Sequence, residues 1–305
     1  MQKKIVFMGT PEFSVLTLEI LAKSNYRLEC VYTQPPRKSF RGQKINLSPV
    51  HKTANRLKIK VRHPNKLDQE ELKFFEKIRP DFVIVAAYGQ IIPEKFLNLP
   101  NVQFINLHAS LLPKWRGAAP IQRAIMNEDK EAGLSIMKIL PKLDEGPYMQ
   151  QVKVSIDLNT TAQTLSKKLS IIGAETIIES LNVLKKGEEN FIEQNHSNAS
   201  YAKKISKSES KINWKEQSTK IIAKINALNP SPGAWFQNRT SRIKIWKAQI
   251  ENTRGKVGEV LDDYLTIGCA DRAIKILELQ KEGKKKMLTK KFLIGNKISK
   301  GDILN

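Results

Sequence analysis

Apolar runs and amphipathic stretches alternate along the first part of the chain. Six runs have the composition of buried strands: residues 4–8, 28–33, 81–87, 102–105, 132–139 and 152–156. Five stretches have the period of an amphipathic helix: residues 12–23, 48–57, 69–78, 118–126 and 161–185. Strands that alternate with helices predict an α/β fold with a Rossmann-like, mostly parallel sheet. The G-x-G-x-x-G pattern is absent, so we do not predict a bound dinucleotide.

The pattern changes after Lys186. Residues 187–210 are polar with scattered apolar positions, which is typical of a linker. A helical stretch at 214–228 is followed by short strand-like runs: 234–237, 243–250, 258–261, 265–269, 274–280 and 287–292. Short strands at this spacing predict a small OB-like β-barrel. We therefore predict a catalytic domain at 1–190, a linker at 191–206 and a C-terminal domain at 207–305.

The overall composition suits two domains, with 305 residues of which 40% are hydrophobic. No apolar run approaches the ~20 residues that cross a bilayer, and the N-terminus enters a strand without a signal peptide. Cys30 and Cys269 are far apart and resemble reduced core thiols. The four histidines lack metal-ligand spacing. We expect a cytoplasmic monomer with no metal and no membrane partner.

The net charge of +22 points to a polyanionic partner, nucleic acid first and an anionic membrane second. The chain is also rich in Lys, Ile and Asn together, so part of this charge can reflect a compositional habit of the source. Residues 206–305 carry 21 Lys and Arg against 10 Asp and Glu, whereas residues 1–205 carry 31 against 20. The C-terminal part is therefore about twice as basic per residue.

Two segments concentrate the positive charge. The predicted loop at 34–44 contains no acid and four cations: Arg37, Lys38, Arg41 and Lys44. Lys284, Lys285 and Lys286 precede the last predicted strand. Phosphate contact and a merely solvated surface both fit such segments.

Candidate chemistry lies where the strand at 102–105 ends. Asn106 and His108 are two residues apart, so at strand spacing they point to the same side. This position fits the ligand crevice of an open α/β sheet, although two polar residues could also only stabilise a loop. The loop after the strand at 132–139 offers Asp144.

These three residue types suit acyl transfer to an amine that arrives with the substrate. The amide of Asn106 can donate to a developing oxyanion, and an imidazole beside a carboxylate can act as a general base. No Ser or Cys nucleophile is then required, and the G-x-S-x-G motif of many serine hydrolases is absent.

The motifs carry a family resemblance. Asn106-Leu-His108, Ser110-Leu-Leu-Pro113 and Asp144 resemble the signature of enzymes that use 10-formyltetrahydrofolate. Four longer strings are similar to the methionyl-tRNA formyltransferase family: 7–13, 87–93, 111–123 and 229–235. The resemblance covers nearly the full length. The basic loop departs from the Pro-Ala-Gly-Arg-Gly that is usual in this family, and residues 145–147 also differ, so the path of the basic loop stays open.

The resemblance implies formyl transfer from 10-formyltetrahydrofolate to the α-amine of methionyl-initiator tRNA, for translation initiation. It implies that Asn106 and His108 bind the oxyanion, that His108 also moves the amine proton, and that Asp144 orients His108. It further implies folate contacts from one short stretch: Ser110, Leu111, Leu112 and Pro113. The two basic segments and the OB-like domain are then expected to hold tRNA.

Two alternatives remain. A formyltransferase for a nucleotide sugar or another small amine would share the Asn106, His108 and Asp144 trio, but it would have no need for a basic barrel. A non-catalytic RNA-binding protein built on an inactive enzyme would explain the charge but not an intact trio.

Overall fold

The structure is a computed structural model that describes residues 2–39 and 44–304, and these residues form two compact units. The first unit contains the described residues of Met1–Pro120, Gly133–Val154 and Ser166–Ala202. The second contains those of Ile121–Ala132, Ser155–Leu165 and Lys203–Asn305.

Strands and helices alternate through the first unit. The strands, in chain order, are β1 (Lys4–Gly9), β2 (Arg27–Tyr32), β3 (Arg37–Ser39), β4 (Lys44–Asn46), β5 (Val61–Arg62), β6 (Phe82–Ala86), β7 (Gln103–His108), β8 (Arg116–Gly117), β9 (Glu131–Lys138), β10 (Tyr148–Ser155) and β11 (Tyr201–Ala202). The helices are α1 (Val15–Lys23), α2 (Pro49–Arg56), α3 (Gln69–Ile78), α4 (Glu94–Leu97) and α6 (Ala162–Lys186), whereas α5 (Pro120–Met126), which follows β8 in the chain, belongs to the second unit from Ile121 onward.

The main sheet of the first unit has seven strands in the order β10-β9-β7-β6-β1-β2-β5. The strands from β5 to β7 pair in parallel, and β9 pairs antiparallel to β7. This topology confirms the predicted Rossmann-like, mostly parallel sheet. Because Gly9 aligns with Ala86 and Val85 aligns with Asn106, the carboxyl ends of β1, β6 and β7 meet at one edge.

Aromatic side chains pack one face of this sheet. Phe75 of α3 lies with its ring centroid 5.4 Å from that of Tyr32 and 5.3 Å from that of Phe96. Phe104 of β7 stacks against the ring of Phe75, with the two ring centroids 6.3 Å apart. Aromatic pairs at these separations stabilise a core by more than the area that they bury. This aromatic cluster therefore anchors β7 through Phe104 on one face of the sheet.

An antiparallel sheet forms the second unit, together with α7 (Ser218–Ala227) and α8 (Thr289–Gly295). Its strands are β12 (Ala234–Asn238), β13 (Ser241–Glu251), β14 (Thr266–Gly268), β15 (Ala273–Lys281) and β16 (Met287–Leu288). They lie in the order β12-β13-β15-β14, and β16 pairs with β15. The curled antiparallel sheet confirms the predicted OB-like class.

Some local predictions were wrong. Residues 287–292 form only the short strand β16 before helix α8, because Leu288, Phe292 and Leu293 recur at helical spacing and Phe292 is buried. The predicted helix at 214–228 begins only at Ser218. The N–H and the hydroxyl group of Ser218 both donate to the carboxylate of Asp271 at this helix start. The backbone of the predicted loop at 34–44 includes the antiparallel pair β3 and β4.

An ion pair joins α5 to the start of the C-terminal part within the second unit. Arg123 Nη1 lies 2.6 Å from Glu209 Oε2, and Arg123 also donates to the carbonyl oxygen of Lys203. Hydrogen bonds from Arg123 and then from the Ser206 N–H lower the pKa of Glu209 from its usual 4.5 to about 2. The ionised carboxylate therefore stabilises the fold.

We predict that Glu209→Gln lowers the urea midpoint of the second unit at neutral pH but not at strongly acid pH. A depressed folded-state pKa adds stability above 4.5, and this stability is lost as the pH falls from 4.5 toward 2. Tryptophan fluorescence reports it, since three of the four tryptophans lie in this unit. A midpoint difference that stays constant from pH 7 to pH 2.5 would contradict the assignment.

Candidate active site

Strand β7 delivers the predicted pair to the carboxyl edge of the sheet. Asn106 is half-buried and His108 is only 6% exposed, and both lie on the same side of β7. His108 pairs with Ser135 of the antiparallel β9. Because β7 is bordered by strands on both sides, the backbone that carries these two side chains has little freedom to move.

The imidazole of His108 is held at one nitrogen and faces a carboxylate at the other. Its Nε2 lies 3.1 Å from the carbonyl oxygen of Trp115, so Nε2–H is the donor in that hydrogen bond. In the neutral ring Nδ1 then carries the lone pair, and it lies 3.7 Å from Asp144 Oδ2. This separation is too long for a hydrogen bond, but it places a carboxylate oxygen beside the ring nitrogen that is free to accept a proton.

The backbone around Asp144 is fixed by close packing. Asp144 has a φ of 50°, and its Oδ2 accepts a 2.8 Å hydrogen bond from the N–H of Gly117. Gly117 has a φ of 116°, a conformation that favours glycine. At Gly146, a Cβ would lie 1.8 Å from the carbonyl oxygen of Lys138. Substitution of Gly146 would therefore force this loop to move.

Ser135 and Gln151 attach the loop after β7 to the neighbouring strands. Ser135 Oγ donates to the carbonyl oxygen of Ser110 at 2.7 Å and accepts from the N–H of Leu112 at 3.1 Å. Gln151 Nε2 donates to the carbonyl oxygen of Leu112 and to Ser135 Oγ. Ser110 and Leu112 are buried, while Leu111 and Pro113 remain half-exposed.

A buried arginine beside the site was missed by the sequence reasoning. Arg116 is 1% exposed, and its guanidinium donates to Gln194 Oε1 and lies 3.4 Å from Glu145. Gln194 Nε2 in turn donates to the carbonyl oxygens of Asp144 and Gly146. Arg116 lies within the string 111–123 that carries the family resemblance. Neither the burial of Arg116 nor its contact with Gln194, 78 residues later, is visible in the sequence.

The structure thus brings Asn106, His108 and Asp144 to one edge of the first unit. Lys284, Lys285 and Lys286 belong to the second unit, and Lys286 Nζ lies 3.5 Å from Glu278. Arg41 lies outside the described residues. The basic residues around it are placed by their backbone alone: Arg37 and Lys38 in β3, and Lys44 in β4.

Two whole-chain observations bear on other kinds of site. Within residues 2–39 and 44–304, no helix has the length and apolar character needed to cross a bilayer. The same residues contain no cluster of three or more His, Cys, Asp and Glu side chains arranged to hold a metal ion.

Comparison with known proteins places the chain in a family. The profile described as formyl transferase matches residues 3–181, and the profile of its C-terminal domain matches residues 204–297. The methionyl-tRNA formyltransferase of Pelagibacter ubique is 50% identical over 99% of this chain and 98% of its own length. The chain belongs to the methionyl-tRNA formyltransferase family. The corresponding enzyme of Paramagnetospirillum magneticum is 41% identical over 99% of both chains.

A solved structure shares the fold. HypX from Aquifex aeolicus, determined in complex with tetrahydrofolic acid, matches with a TM-score of 0.68 at 16% identity. The match covers 100% of this chain and 51% of HypX, so the chain spans about half the length of that protein. The methionyl-tRNA formyltransferase family relationship therefore rests on the sequence matches, and this likeness shows the fold.

We predict that Ser135→Ala destabilises the first unit by about 1–3 kcal/mol, because it leaves the buried N–H of Leu112 without its acceptor. Urea unfolding followed by the fluorescence of Trp115, the single tryptophan of this unit, measures the change. The control is Lys168→Ala at an exposed position of α6 in the same unit, expected to stay within about 0.5 kcal/mol. Equal effects of the two substitutions would show that the Ser135 hydrogen bonds add nothing.

Proposed function

We propose that this protein transfers the formyl group of 10-formyltetrahydrofolate to the α-amino group of methionyl-initiator tRNA. One observation carries the proposal. Asn106, His108 and Asp144 converge at the carboxyl edge of the sheet, in a chain 50% identical over nearly its full length to an enzyme named for this reaction. We assign the chemistry to the first unit and a tRNA-holding role to the second.

Asn106 supplies the donor for the charge that develops on the formyl oxygen. Within the described part of the chain, its carboxamide makes no hydrogen bond, so Nδ2 is available to a ligand. A donor fixed on a strand pays little reorganisation cost when the negative charge forms. The placement of Asn106 on a strand therefore raises the rate by stabilising the transition state with a donor that is already in position.

His108 moves the proton of the attacking amine. Its Nε2–H is engaged by the carbonyl oxygen of Trp115, so Nδ1 is the nitrogen that accepts the proton. Asp144 then stabilises the imidazolium across 3.7 Å, and the new Nδ1–H can donate to the developing oxyanion. The amine nitrogen bonds to the formyl carbon, the bond from that carbon to N10 of the folate breaks, and N10 receives the proton that His108 carried.

The loop after β7 is suited to a flat heteroaromatic ring. Leu111 and Pro113 offer half-exposed apolar surface, while Ser110 and Leu112 turn inward. Contacts from Ser110 and Leu112 would therefore come from main-chain groups rather than side chains. This combination of apolar surface and backbone polar groups is the usual composition of a small-molecule site.

A basic pocket in the second unit supports a polyanionic partner. It has a volume of about 370 Å³, and its charged lining consists of four cations and one acid: Lys207, Arg242, Lys244, Lys281 and Glu282. Arg242 lies 4.6 Å from the ring centroid of Trp235, a pair that presents both charge and a flat surface. Such a surface suits phosphates and bases of a nucleic acid.

We predict that Asn106→Ala and His108→Ala each lower kcat by about 10²–10³-fold and leave both KM values within a few-fold, because the donors matter mainly in the transition state. The assay uses 10-formyltetrahydrofolate with charged initiator tRNA, charged elongator tRNA and nucleotide-linked amino sugars as acceptors. Preferred formylation of an amino sugar by the unmodified protein would refute the proposed substrate. Loss of less than about threefold in both variants would refute the assigned roles.

We predict that replacing Lys284, Lys285 and Lys286 together by Ala raises KM for tRNA and flattens its salt dependence, with kcat nearly unchanged. Each lost phosphate contact removes roughly 0.7–0.9 from the slope of log affinity against log salt concentration. The control removes three exposed lysines of the first unit: Lys23, Lys73 and Lys77. If both triple variants change KM equally, only net charge matters and the segment is not a specific platform.

A further inference from the structure

Residues 192–202, here named the return segment, belong to the first unit and run along the loop that follows β7. Ser200 accepts hydrogen bonds from two N–H groups of that loop, at its carbonyl oxygen from Arg116 and at its Oγ from Trp115, each at 2.9 Å. The pairing of β11 with β8 continues these contacts. The segment is therefore attached to the loop after β7 by hydrogen bonds to Ser200 and by the short strand pair β11 and β8.

Gln194 is the residue of the return segment that reaches both loops of the site. It is 4% exposed, and its side-chain amide uses all of its hydrogen-bonding capacity. Oε1 accepts from Arg116 Nε at 3.1 Å and from Nη2 at 2.8 Å. Nε2 donates to the carbonyl oxygens of Asp144 at 2.8 Å and of Gly146 at 2.6 Å. One amide thus links the Arg116 loop to the Asp144 loop.

The Arg116 end of this link is itself immobile. The buried guanidinium has Glu145 at 3.4 Å and donates to His196 Nδ1 at 3.0 Å, in addition to Gln194. Removing a buried charge from such partners is costly, so the guanidinium acts as a fixed point. Gln194 transmits that fixed position to the carbonyl oxygen of Asp144.

Both loops set the geometry of His108. The carbonyl oxygen of Trp115, next to Arg116, holds His108 Nε2, and Asp144 Oδ2 faces His108 Nδ1. We propose that Gln194 is a positioning residue for formyl transfer, because it fixes the Asp144 loop relative to the Trp115–Arg116 loop and so places the carboxylate beside His108. This inference rests on the proposed function of the site. Gln194 is almost fully buried, so we assign it a role through these two loops and not a direct contact with a substrate.

Gln194→Glu tests the link selectively. A carboxylate of the same size keeps an acceptor for Arg116 and strengthens that end by charge. At the other end it replaces a donor by an oxygen that repels the carbonyl oxygens of Asp144 and Gly146. The variant is therefore expected to fold, while its Asp144 loop is displaced.

We predict that Gln194→Glu lowers kcat for charged initiator tRNA by ~10–10²-fold, with both KM values within about threefold, because a small misplacement of a catalytic group costs rate rather than binding. In an Asp144→Asn background, the same substitution should cost less than about threefold, since its effect passes through the carboxylate. A general weakening of the fold would instead reduce kcat equally in both backgrounds.

The controls separate this inference from the proposed function. Glu193→Gln changes the adjacent, exposed residue of the return segment and should leave kcat unchanged. One outcome refutes the positioning role alone. In that outcome the unmodified protein formylates tRNA and Asp144→Asn lowers kcat, but Gln194→Glu either keeps a normal kcat or lowers it by the same factor in both backgrounds. If the unmodified protein is inactive with tRNA, the proposed function fails. Should Gln194→Glu not fold, Gln194→Met replaces it in the same cycle with the same two outcomes.

Discussion

The buried charge of Arg116 is the constraint on which the geometry of the site depends. A guanidinium that is 1% exposed has lost its hydration, so each of its donors must find a partner inside the protein. Those partners come from the return segment and from the loop after β9. Satisfying one side chain therefore requires three separate pieces of backbone to meet beside His108, and none of them can move without exposing an unpaired charge.

The relation between His108 and Asp144 differs from that of a hydrogen-bonded pair. At 3.7 Å the carboxylate does not select the tautomer of the ring, because the carbonyl oxygen of Trp115 already does so from the opposite nitrogen. Two functions that a carboxylate often combines are thus divided between two groups. A main-chain oxygen orients the imidazole, and Asp144 places a carboxylate beside Nδ1, the nitrogen to which the proposed mechanism delivers the proton. Asp144 is held for this purpose by the N–H of Gly117 at 2.8 Å.

Positive charge serves two physically different purposes in this chain. Arg116 acts through fixed geometry in a dry environment, where a single contact is strong and insensitive to salt. Exposed lysines such as Lys285 act through long-range attraction, which ionic strength screens within about 10 Å. The net charge of +22 counts both kinds alike and does not distinguish a buried cation from an exposed one. Composition can therefore suggest a polyanionic partner, yet it says nothing about the arginine that organises the site.

Local patterns were sufficient for much of the fold and for part of the site. The helix at 69–78 was placed at its observed bounds from its amphipathic period, in which Leu72 and Phe75 recur at helical spacing. The structure adds that Asp68 caps its N-terminus. Asn106 and His108 were found because their spacing in a strand is a local property. Strand β10 begins at Tyr148, earlier than the predicted 152, because polar Gln150 and Gln151 obscure its apolar pattern.

The contacts that complete the site depend on distant parts of the chain, which explains why the sequence did not reveal them. Gln194 lies in a polar stretch that predicts a linker, and the same polarity is what an amide needs to link two loops inside a protein. Low hydrophobicity indicates exposure only when polar groups have water as their partner. Here the partners are main-chain carbonyl oxygens and a buried guanidinium. Their arrangement follows from the sheet order, which brings β7 and β9 together, and no local pattern of residues specifies that order.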